Sequence, residues 1–295
     1  MNAVRIRAMH VRAGQTSDLD FAAACTAAEG WRTETRGTFE GFYAHDPAGC
    51  LIAEREGTPL GICIGTLYGA SGVSRPQGFV GELIVVPEAR GQGLGRRLLD
   101  RAVAHLRGAD AQSIYLDAVL AAVPLYERAG FRKLCRSLRF GGTLEGQAHS
   151  SVRPMRAADL DAVCALDRRA FGADRRFFLE RRWQQFPALC QVMERDGQLA
   201  GFVLSKRVDD LLAVGPWVVS PEAARPADLL HALARAAPGC TLGLGVLETN
   251  QAAVQAVRAL GLVEREGPPW RMVLGTAENL GASPLAYAIG APGKG

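Results

Sequence analysis

Three glycines alternate with other residues between Arg90 and Arg96, where an apolar, β-branched run gives way to a helical pattern. Glycine lets successive backbone N–H groups approach a ligand closely, because it has no side chain to obstruct them. At the start of a helix these N–H groups have no intrahelical acceptor and lie at the positive end of the helix dipole. The segment therefore predicts a binding site for a pyrophosphate.

Two common phosphate-binding motifs do not account for this segment. Counted from Gly91 and Gly93, the third glycine of the dinucleotide fingerprint GxGxxG would fall on Arg96. No Gly-Lys-Ser or Gly-Lys-Thr occurs in the chain, so a P-loop is excluded.

Hydrophobic periodicity predicts the elements that hold the glycines. Residues 79–86 are too few and too β-branched for a helix, so they predict a strand. From Leu94 to Leu106 apolar residues recur every three or four positions, which predicts a helix with one face on a sheet. The expected order is strand, glycine-rich turn, helix.

The second half of the chain repeats the pattern of the first. Leu51–Gly61 parallels Gln191–Gly201 as strand, tight turn and strand, and Gly81–Ala89 parallels Gly215–Ala223. A stretch rich in glycine, serine and polar residues separates the halves. The predicted organisation is a first domain over residues 1–140, a linker over 141–151 and a second domain over 152–295.

Composition restricts the class of protein. The chain is 48% hydrophobic and 22% charged, with 34 basic and 30 acidic residues, which is typical of a globular protein without a nucleic-acid arm. No apolar run approaches the roughly 20 residues of a membrane helix. Met1–Gly14 lacks the apolar centre of a secretory signal, so a cytoplasmic protein without a membrane partner is expected. The sequence carries no signal for an oligomeric state.

The cysteines and histidines give no sign of a metal site. The seven cysteines are scattered and never form a CxxC pair, and the five histidines are equally dispersed. This distribution predicts reduced, buried thiols rather than disulfides or zinc ligands, and no metal is expected.

The glycine-rich segment also fits the pattern Arg/Gln-x-x-Gly-x-Gly/Ala, read at Arg90, Gly93 and Gly95. This is the coenzyme A signature of the GNAT superfamily of N-acetyltransferases, which the chain resembles in other places. Leu83–Pro87 looks like the family's fourth strand, and Leu116–Ala118 looks like its fifth. Pro124–Phe131 is similar to the Leu-Tyr-x-x-x-Gly-Phe element that closes the fold.

The second half, with Gly215-Pro216-Trp217 and Arg271-Met272, resembles the C-terminal domain of a bacterial tandem subgroup of that family. The resemblance implies an α+β protein with two tandem GNAT-like (acyl-CoA N-acyltransferase) domains. Each domain would be a mixed β-sheet flanked by helices.

The resemblance further implies that acetyl-CoA lies where the fourth and fifth strands splay apart. The backbone of Ile84, Val85 and Val86 would pair with the pantetheine arm, as in strand addition at a sheet edge. The remaining cofactor-binding residues implied are Arg90, Gly91, Gln92, Gly93, Leu94, Gly95 and Arg96.

Acetyl transfer to an amine requires a base, an oxyanion donor and an acid. An alkylammonium of pKa about 10.4 is charged at neutral pH, so a proton must be removed before or during attack. Glu82, an acidic residue inside an apolar strand, is the predicted base, and the backbone N–H of Val85 is the predicted oxyanion donor. Tyr126, at the family's tyrosine position, is the predicted acid for the departing thiolate. Weaker candidates for the base are Glu40, Asp46 and Asp117.

The acceptor pocket is expected in the early aromatic region, at Trp31, Phe42 and Tyr68, although core packing would explain these residues equally well. In the second half Ala224–Leu229 has no glycine where the first half has its glycine-rich turn. Pro216 stands at the position of Glu82 and Val257 at that of Tyr126. Only the first domain is therefore predicted to carry cofactor and chemistry.

The predicted function is an acetyl-CoA-dependent N-acetyltransferase that acts on a primary amine of a small molecule, or of a protein, by direct attack in a ternary complex. Two alternatives remain at this point. One is a non-catalytic acetyl-CoA sensor. The other is an aminoacyl-tRNA-dependent aminoacyltransferase, because tandem domains of this fold also occur in peptidoglycan-building enzymes.

Overall fold

A computed structural model describes residues 9–69, 76–223, 225–276, 280–291 and 293–295. Residues 1–8, from the stretch tested for a secretory signal, and Ala224, from the second-half turn, lie outside the described residues.

The first half alternates strands and helices. Its elements are β1 His10–Ala13, α1 Leu19–Ala28, α2 Arg36–His45, β2 Cys50–Arg55, β3 Thr58–Tyr68, β4 Gln77–Val85, α3 Leu94–Gly108, β5 Ser113–Ala118, α4 Val123–Arg128 and β6 Arg132–Gly142. The predicted strand and helix on either side of the glycine-rich turn are confirmed as β4 and α3.

The second half repeats this order and adds short strands. Its elements are β7 Val152–Pro154, α5 Leu160–Phe171, α6 Arg176–Gln185, β8 Cys190–Arg195, β9 Gln198–Val208, β10 Leu211–Val219, α7 Asp228–Ala236, β11 Thr241–Leu247, α8 Gln251–Ala259, β12 Val263–Glu264, β13 Trp270–Gly275 and β14 Ala286–Ala288.

The strands of both halves form one continuous mixed sheet. Its order is β1-β2-β3-β4-β5-β13-β6-β11-β10-β9-β8-β7, with β12 on β6 and β14 on β10. The pairs β4·β5 and β10·β11 are parallel, and the other pairs are antiparallel. The mixed α+β architecture predicted from the sequence is confirmed.

The halves exchange their closing strands. β13, from the end of the chain, pairs with β5 on one side and β6 on the other, while β6 also pairs with β11 of the second half. Arg271 on β13 is fully buried and donates to Asp117 on β5. The Arg271–Asp117 ion pair and four strand ladders, β13·β5, β13·β6, β11·β6 and β12·β6, therefore join the halves.

Helix α3 packs against the sheet as its periodicity predicts. Leu94, Leu98, Leu99 and Leu106 are all 1% exposed or less and share one cluster with β-strand residues such as Ile114. All seven cysteines are buried free thiols, as predicted. Within the described part of the chain, no helix is both long and apolar enough to cross a membrane.

Candidate active site

The candidate site begins where β4 and β5 separate. The two strands pair only from Gln77 to Phe79 on β4, and beyond Phe79 they diverge. On the other side of β4, Ile84 lies opposite Ile62 and Gly81 lies opposite Ile64, so two residues of β4 face one residue of β3. Such a bulge bends a strand and redirects its side chains. The opening between β4 and β5 is a cavity of about 720 Å³.

The glycine-rich turn lies at the entrance to α3. Gly91 and Gly93 have φ of 74° and 79°, which side chains disfavour, and Gly93 is the N-cap of the helix. The first intrahelical bond runs from the Arg97 N–H to the Gly93 carbonyl, at 3.2 Å. The N–H groups of residues 94–96 therefore have no acceptor within the helix. This is the arrangement that a pyrophosphate requires.

The inner face of the cavity is formed by the edge of β4. Ile84 and Val85 line it, together with Arg90 and Gly95. The Val86 N–H donates to the Leu60 carbonyl at 2.9 Å, so Val86 faces β3 and offers no amide to the cavity. Because neighbouring residues of a strand alternate, the peptide groups of Val85 face the opening. The Val85 N–H is therefore free to meet a ligand in the opening, whereas the Val86 N–H is not.

The polar side chains of the turn already have protein partners. Arg90 Nε donates to the Val85 carbonyl at 2.8 Å, and the same guanidinium pairs with Glu29. Arg55 donates to Gln92 Oε1 at 2.8 Å, and Arg96 Nε donates to Asp100 at 2.7 Å. The backbone N–H groups, rather than these side chains, are what the turn leaves available to an anion.

Glu82 lies in the bulge with a strained backbone. Its φ is 50°, and its side chain lines the cavity while only 5% of the residue is exposed. Burial, with a smaller effect from the nearby Glu34 carboxylate, raises the pKa of Glu82 to about 8. Its Oε2 has no hydrogen-bond partner among the described residues. A general base is expected to have a pKa near the working pH, and Glu82 meets this condition.

Tyr126 lines the same cavity from α4. Burial raises its pKa, with small contributions from Cys63 and Glu82, so the hydroxyl is protonated at neutral pH. Its ring packs edge-on against Phe131, with centroids 5.9 Å apart. The structure therefore brings Glu82, Val85 and Tyr126 into one cavity.

The weaker candidates for the base have other partners. Asp117 also lines the cavity, but it accepts from Ser137 at 2.8 Å and pairs with Arg139 and Arg271. Burial alone would raise its pKa, but the two arginines outweigh burial and lower it. Asp46 is bound to His105 and to the Ala48 N–H, and Glu40 is half-buried and pairs with Arg36.

The three predicted acceptor residues are distributed over different places. Trp31 lines the cavity between β4 and β5, and Tyr68 lines a second cavity of about 400 Å³ between the two halves. Phe42 is a core residue, 2% exposed, whose ring lies 4.5 Å from the Nζ of Lys294. The aromatic cluster therefore reaches both cavities without forming one pocket.

Sequence reasoning missed the residues that lie between the two cavities. Glu34, from the loop before α2, pairs with Lys206 of β9 at 3.5 Å. The segment after β14 passes beside them, and a Cβ built on Gly293 would lie 2.0 Å from Glu82 Oε1. Tyr68 donates its hydroxyl to the Lys294 carbonyl at 2.5 Å. The missed residues Glu34, Lys206, Gly293 and Lys294 belong to no motif, and their proximity to Glu82 and Tyr68 depends on pairing between distant parts of the chain.

Comparison with known proteins identifies the family. Residues 17–131 match the acetyltransferase (GNAT) family, and residues 163–285 match an acetyltransferase (GNAT) domain. The chain belongs to the GNAT acetyltransferase family. Its two GNAT domains lie in tandem, as the sequence resemblance implied.

Named relatives and solved structures agree with this assignment. The chain is 46% identical over 92 residues to a mycothiol acetyltransferase of Thermobispora bispora, covering 30% of this chain and 31% of that protein. It is 31% identical over 170 residues to the "Uncharacterized N-acetyltransferase YitH" of Bacillus subtilis, covering 54% of this chain and 57% of the relative. The chain thus spans between about a third and somewhat more than half of these relatives. A putative acetyltransferase from Pyrococcus horikoshii has the same fold over 100% of this chain and 99% of its own, with a TM-score of 0.81 and 21% identity.

The second GNAT domain has the same bulge without the same site. Counted from Cys50 and Cys190, which begin β2 and β8, the strand register places Pro216 at the position of Glu82. The opening between β10 and β11 is also filled. β14 pairs with β10 at Trp217, and the Ile289 N–H donates to the Gly245 carbonyl of β11 at 2.9 Å. The chain itself occupies the space that remains open in the first GNAT domain.

Proposed function

We propose that this protein is an acetyl-CoA-dependent N-acetyltransferase whose first GNAT domain, residues 1–140, transfers an acetyl group to a primary amine of a small molecule. The same proposal assigns residues 141–151 to a linker and residues 152–295 to the second domain. The observation that carries it is the position of Glu82, a buried carboxyl of raised pKa in the bulge beside the open cavity. The names of the relatives, mycothiol acetyltransferase and N-acetyltransferase, support the reaction class.

The residues present fit acetyl-CoA. The cavity of about 720 Å³ runs along the free edge of β4, and the unpaired N–H groups of residues 94–96 lie at the start of α3. When bound there, acetyl-CoA supplies a thioester carbonyl that an amine can attack. The pantetheine arm would lie alongside Val85, and residues 94–96 would offer their N–H groups to the pyrophosphate.

Three groups of the protein then act as base, oxyanion donor and acid. The Glu82 carboxylate accepts a proton from the acceptor ammonium, which frees the nitrogen lone pair for attack. The Val85 N–H, directed into the cavity, stabilises negative charge on the carbonyl oxygen. The Tyr126 hydroxyl would donate its proton to the sulfur as the C–S bond breaks, so that coenzyme A leaves as a thiol. The attacking nitrogen would lose its second proton at this step, which would restore the Tyr126 hydroxyl.

The test is an assay of free thiol release from acetyl-CoA over a panel of amines. Glu82→Gln and Tyr126→Phe are the test variants, and Glu88→Gln, an exposed glutamate after β4, is the matched control. The proposal expects Glu82→Gln to lower turnover at least about 100-fold while coenzyme A still binds, and Glu88→Gln to have no effect. Cofactor binding without turnover on any amine would instead support a sensor. Loss of coenzyme A binding with retained tRNA binding would support aminoacyl transfer.

A further inference from the structure

The cavity between the two halves has a marked charge character. Its volume is about 400 Å³, which suits a small ligand. Every ionisable side chain that lines it among the described residues, tyrosine aside, is a basic one: Arg175, Arg181, Arg182, Lys206, Arg207 and Lys294. No carboxylate is among the lining residues that the structure describes.

Neighbouring carboxylates neutralise only part of this charge. Arg175 is held by Asp167 through two bonds of 2.8 Å, and Lys206 lies 3.5 Å from Glu34. Within the described ranges, no carboxylate comes within 4.0 Å of Arg182, Arg207 or Lys294. Burial lowers the pKa of Lys294 to about 7, so Arg182 and Arg207 supply most of the remaining positive charge. The cavity therefore keeps a positive field, and a cleft lined by one sign of charge concentrates ligands of the other sign.

Arg182 is positioned for recognition. It lies on α6, and its guanidinium donates to the Gly215 carbonyl at 3.2 Å, which holds it at the cavity wall. Arg181, its neighbour on α6, lies 4.0 Å from Glu40 and occupies space beside Gly41, where a Cβ would come within 2.9 Å of Arg181 Nε. Guanidinium groups suit carboxylate and phosphate oxygens because they donate in a planar fork.

Carboxyl side chains lie on the cofactor side of the boundary between the two cavities. Glu34 and Glu82 line the cavity between β4 and β5, whereas Lys206 and Lys294 line the cationic cavity. The two cavities adjoin at Gly293 and Lys294, consecutive residues that line one cavity each. A molecule that lies across both would place an ammonium group near the carboxylates and an acidic group among the arginines.

We propose that the acceptor amine also carries an acidic group, a carboxylate or a phosphate, which binds in the cationic cavity to Arg181, Arg182 and Arg207. This inference rests on the proposed acetyltransferase function and names the class of its acceptor. The second GNAT domain then takes part in substrate selection, because α6 and β9 supply these cations.

The test compares three amines of similar length in the thiol-release assay: 4-aminobutanoate, 3-aminopropylphosphonate and butylamine. At least one of the two acidic amines is expected to exceed butylamine about tenfold or more in kcat/KM, the effect of one charged hydrogen bond. A higher kcat/KM for 4-aminobutanoate would indicate an acceptor with a carboxylate, and a higher value for 3-aminopropylphosphonate would indicate an acceptor with a phosphate. Equal kcat/KM for all three amines would overturn the proposal.

Substitutions on α6 test whether the preference for acidic amines arises in the cationic cavity. Arg182→Gln is expected to reduce the preference for the acidic amine at least about fivefold through KM, with kcat little changed, and Arg182→Lys is expected to retain most of it. Arg176→Gln, at the exposed start of the same helix where Arg176 pairs with Asp161, is the matched control and should change nothing. If Arg182→Gln does not fold, Arg181→Gln tests the same point. An equal loss on butylamine and the acidic amines would contradict the assignment.

A binding measurement separates this proposal from the proposed function. Calorimetric titration with 4-aminobutanoate and 3-aminopropylphosphonate, without acetyl-CoA, should show tighter binding to the unmodified protein than to Arg182→Gln. If no amine is acetylated but this difference in binding is found, the acetyltransferase function fails and the anion site stands. If amines are acetylated and neither acid binds, the anion site fails alone.

Discussion

The Nζ of Lys206 lies 3.5 Å from Glu34 Oε1, and both side chains are buried. Lys206 also donates to the Thr38 hydroxyl at 3.1 Å. The pair connects the second half of the chain to the first at the boundary between the two cavities. Burial alone would raise the pKa of Glu34, but Lys206 and Lys294 outweigh it and lower that pKa, so Glu34 remains a carboxylate.

Removing one member of this pair should destabilise the protein strongly. Lys206→Met leaves a buried carboxylate without its partner and is expected to lower the free energy of unfolding by about 3 kcal/mol. Lys133→Met, which removes a half-exposed lysine paired with Glu127, is the control and should cost less than about 1 kcal/mol. Urea unfolding measures the free energy of unfolding of both variants. Similar decreases for the two would show that the buried pair stabilises the protein no more than the surface pair does.

The pH dependence of turnover should report Glu82. Because the base acts as a carboxylate and its pKa is raised to about 8, kcat/KM should rise with pH and level off above about 8. An acceptor amine would produce a similar limb at its own pKa, so the profile is measured with two amines of different pKa. If kcat/KM rises with the same apparent pKa near 8 for both amines, the titrating group belongs to the enzyme. If the apparent pKa instead changes with the pKa of the amine, Glu82 is not the titrating group.

The same raised pKa predicts a pH-dependent stability. The folded protein holds the Glu82 proton more tightly than the unfolded chain does. Its contribution is therefore fully present below the ordinary value of 4.5 and is lost as the pH rises through about 8. The Glu82→Gln variant has no carboxyl to titrate and does not lose this stability. Its free energy of unfolding, relative to that of the unmodified protein, should therefore increase by up to about 4 kcal/mol between pH 4 and pH 9. Urea unfolding at the two values measures the gain, and a constant difference would mean that Glu82 titrates normally.

The positive φ of Gly93 can be separated from its place in the anion site. Gly93→Ala and Gly197→Ala place a side chain at φ of 79° and 74°, and a Cβ built at either position meets nothing within 4 Å. Both should lose about 1 kcal/mol of stability. Only Gly93→Ala is expected to weaken coenzyme A binding, by about tenfold, because only Gly93 caps α3. Equal calorimetric affinities in the two variants would exclude the turn from cofactor binding.

Local patterns were predictable from the sequence. The strand, turn and helix around Gly93 follow from side-chain periodicity over a few residues, and the structure contains them as β4 and α3. Asn250, of a residue type common at helix starts, stands before the helical pattern of α8, and its side chain accepts from the Ala253 N–H at 3.0 Å.

Features that depend on long-range pairing were not predictable in this way. The exchange of β13 and β6 between the halves leaves no local signal, because either strand would have the same alternation in its own half. The bulge at Glu82 depends on the register against β3, and the cationic cavity depends on how α6 and β9 approach α2. Pairing, rather than local propensity, decides these positions.

The central claim is that the first GNAT domain binds coenzyme A between β4 and β5, while β14 closes the corresponding opening of the second. A crystal structure of the complex with coenzyme A tests this most directly. We expect one molecule per chain, with its pyrophosphate on the N–H groups of residues 94–96 and β14 still paired with β10. Coenzyme A between β10 and β11, with β14 displaced, would contradict the claim.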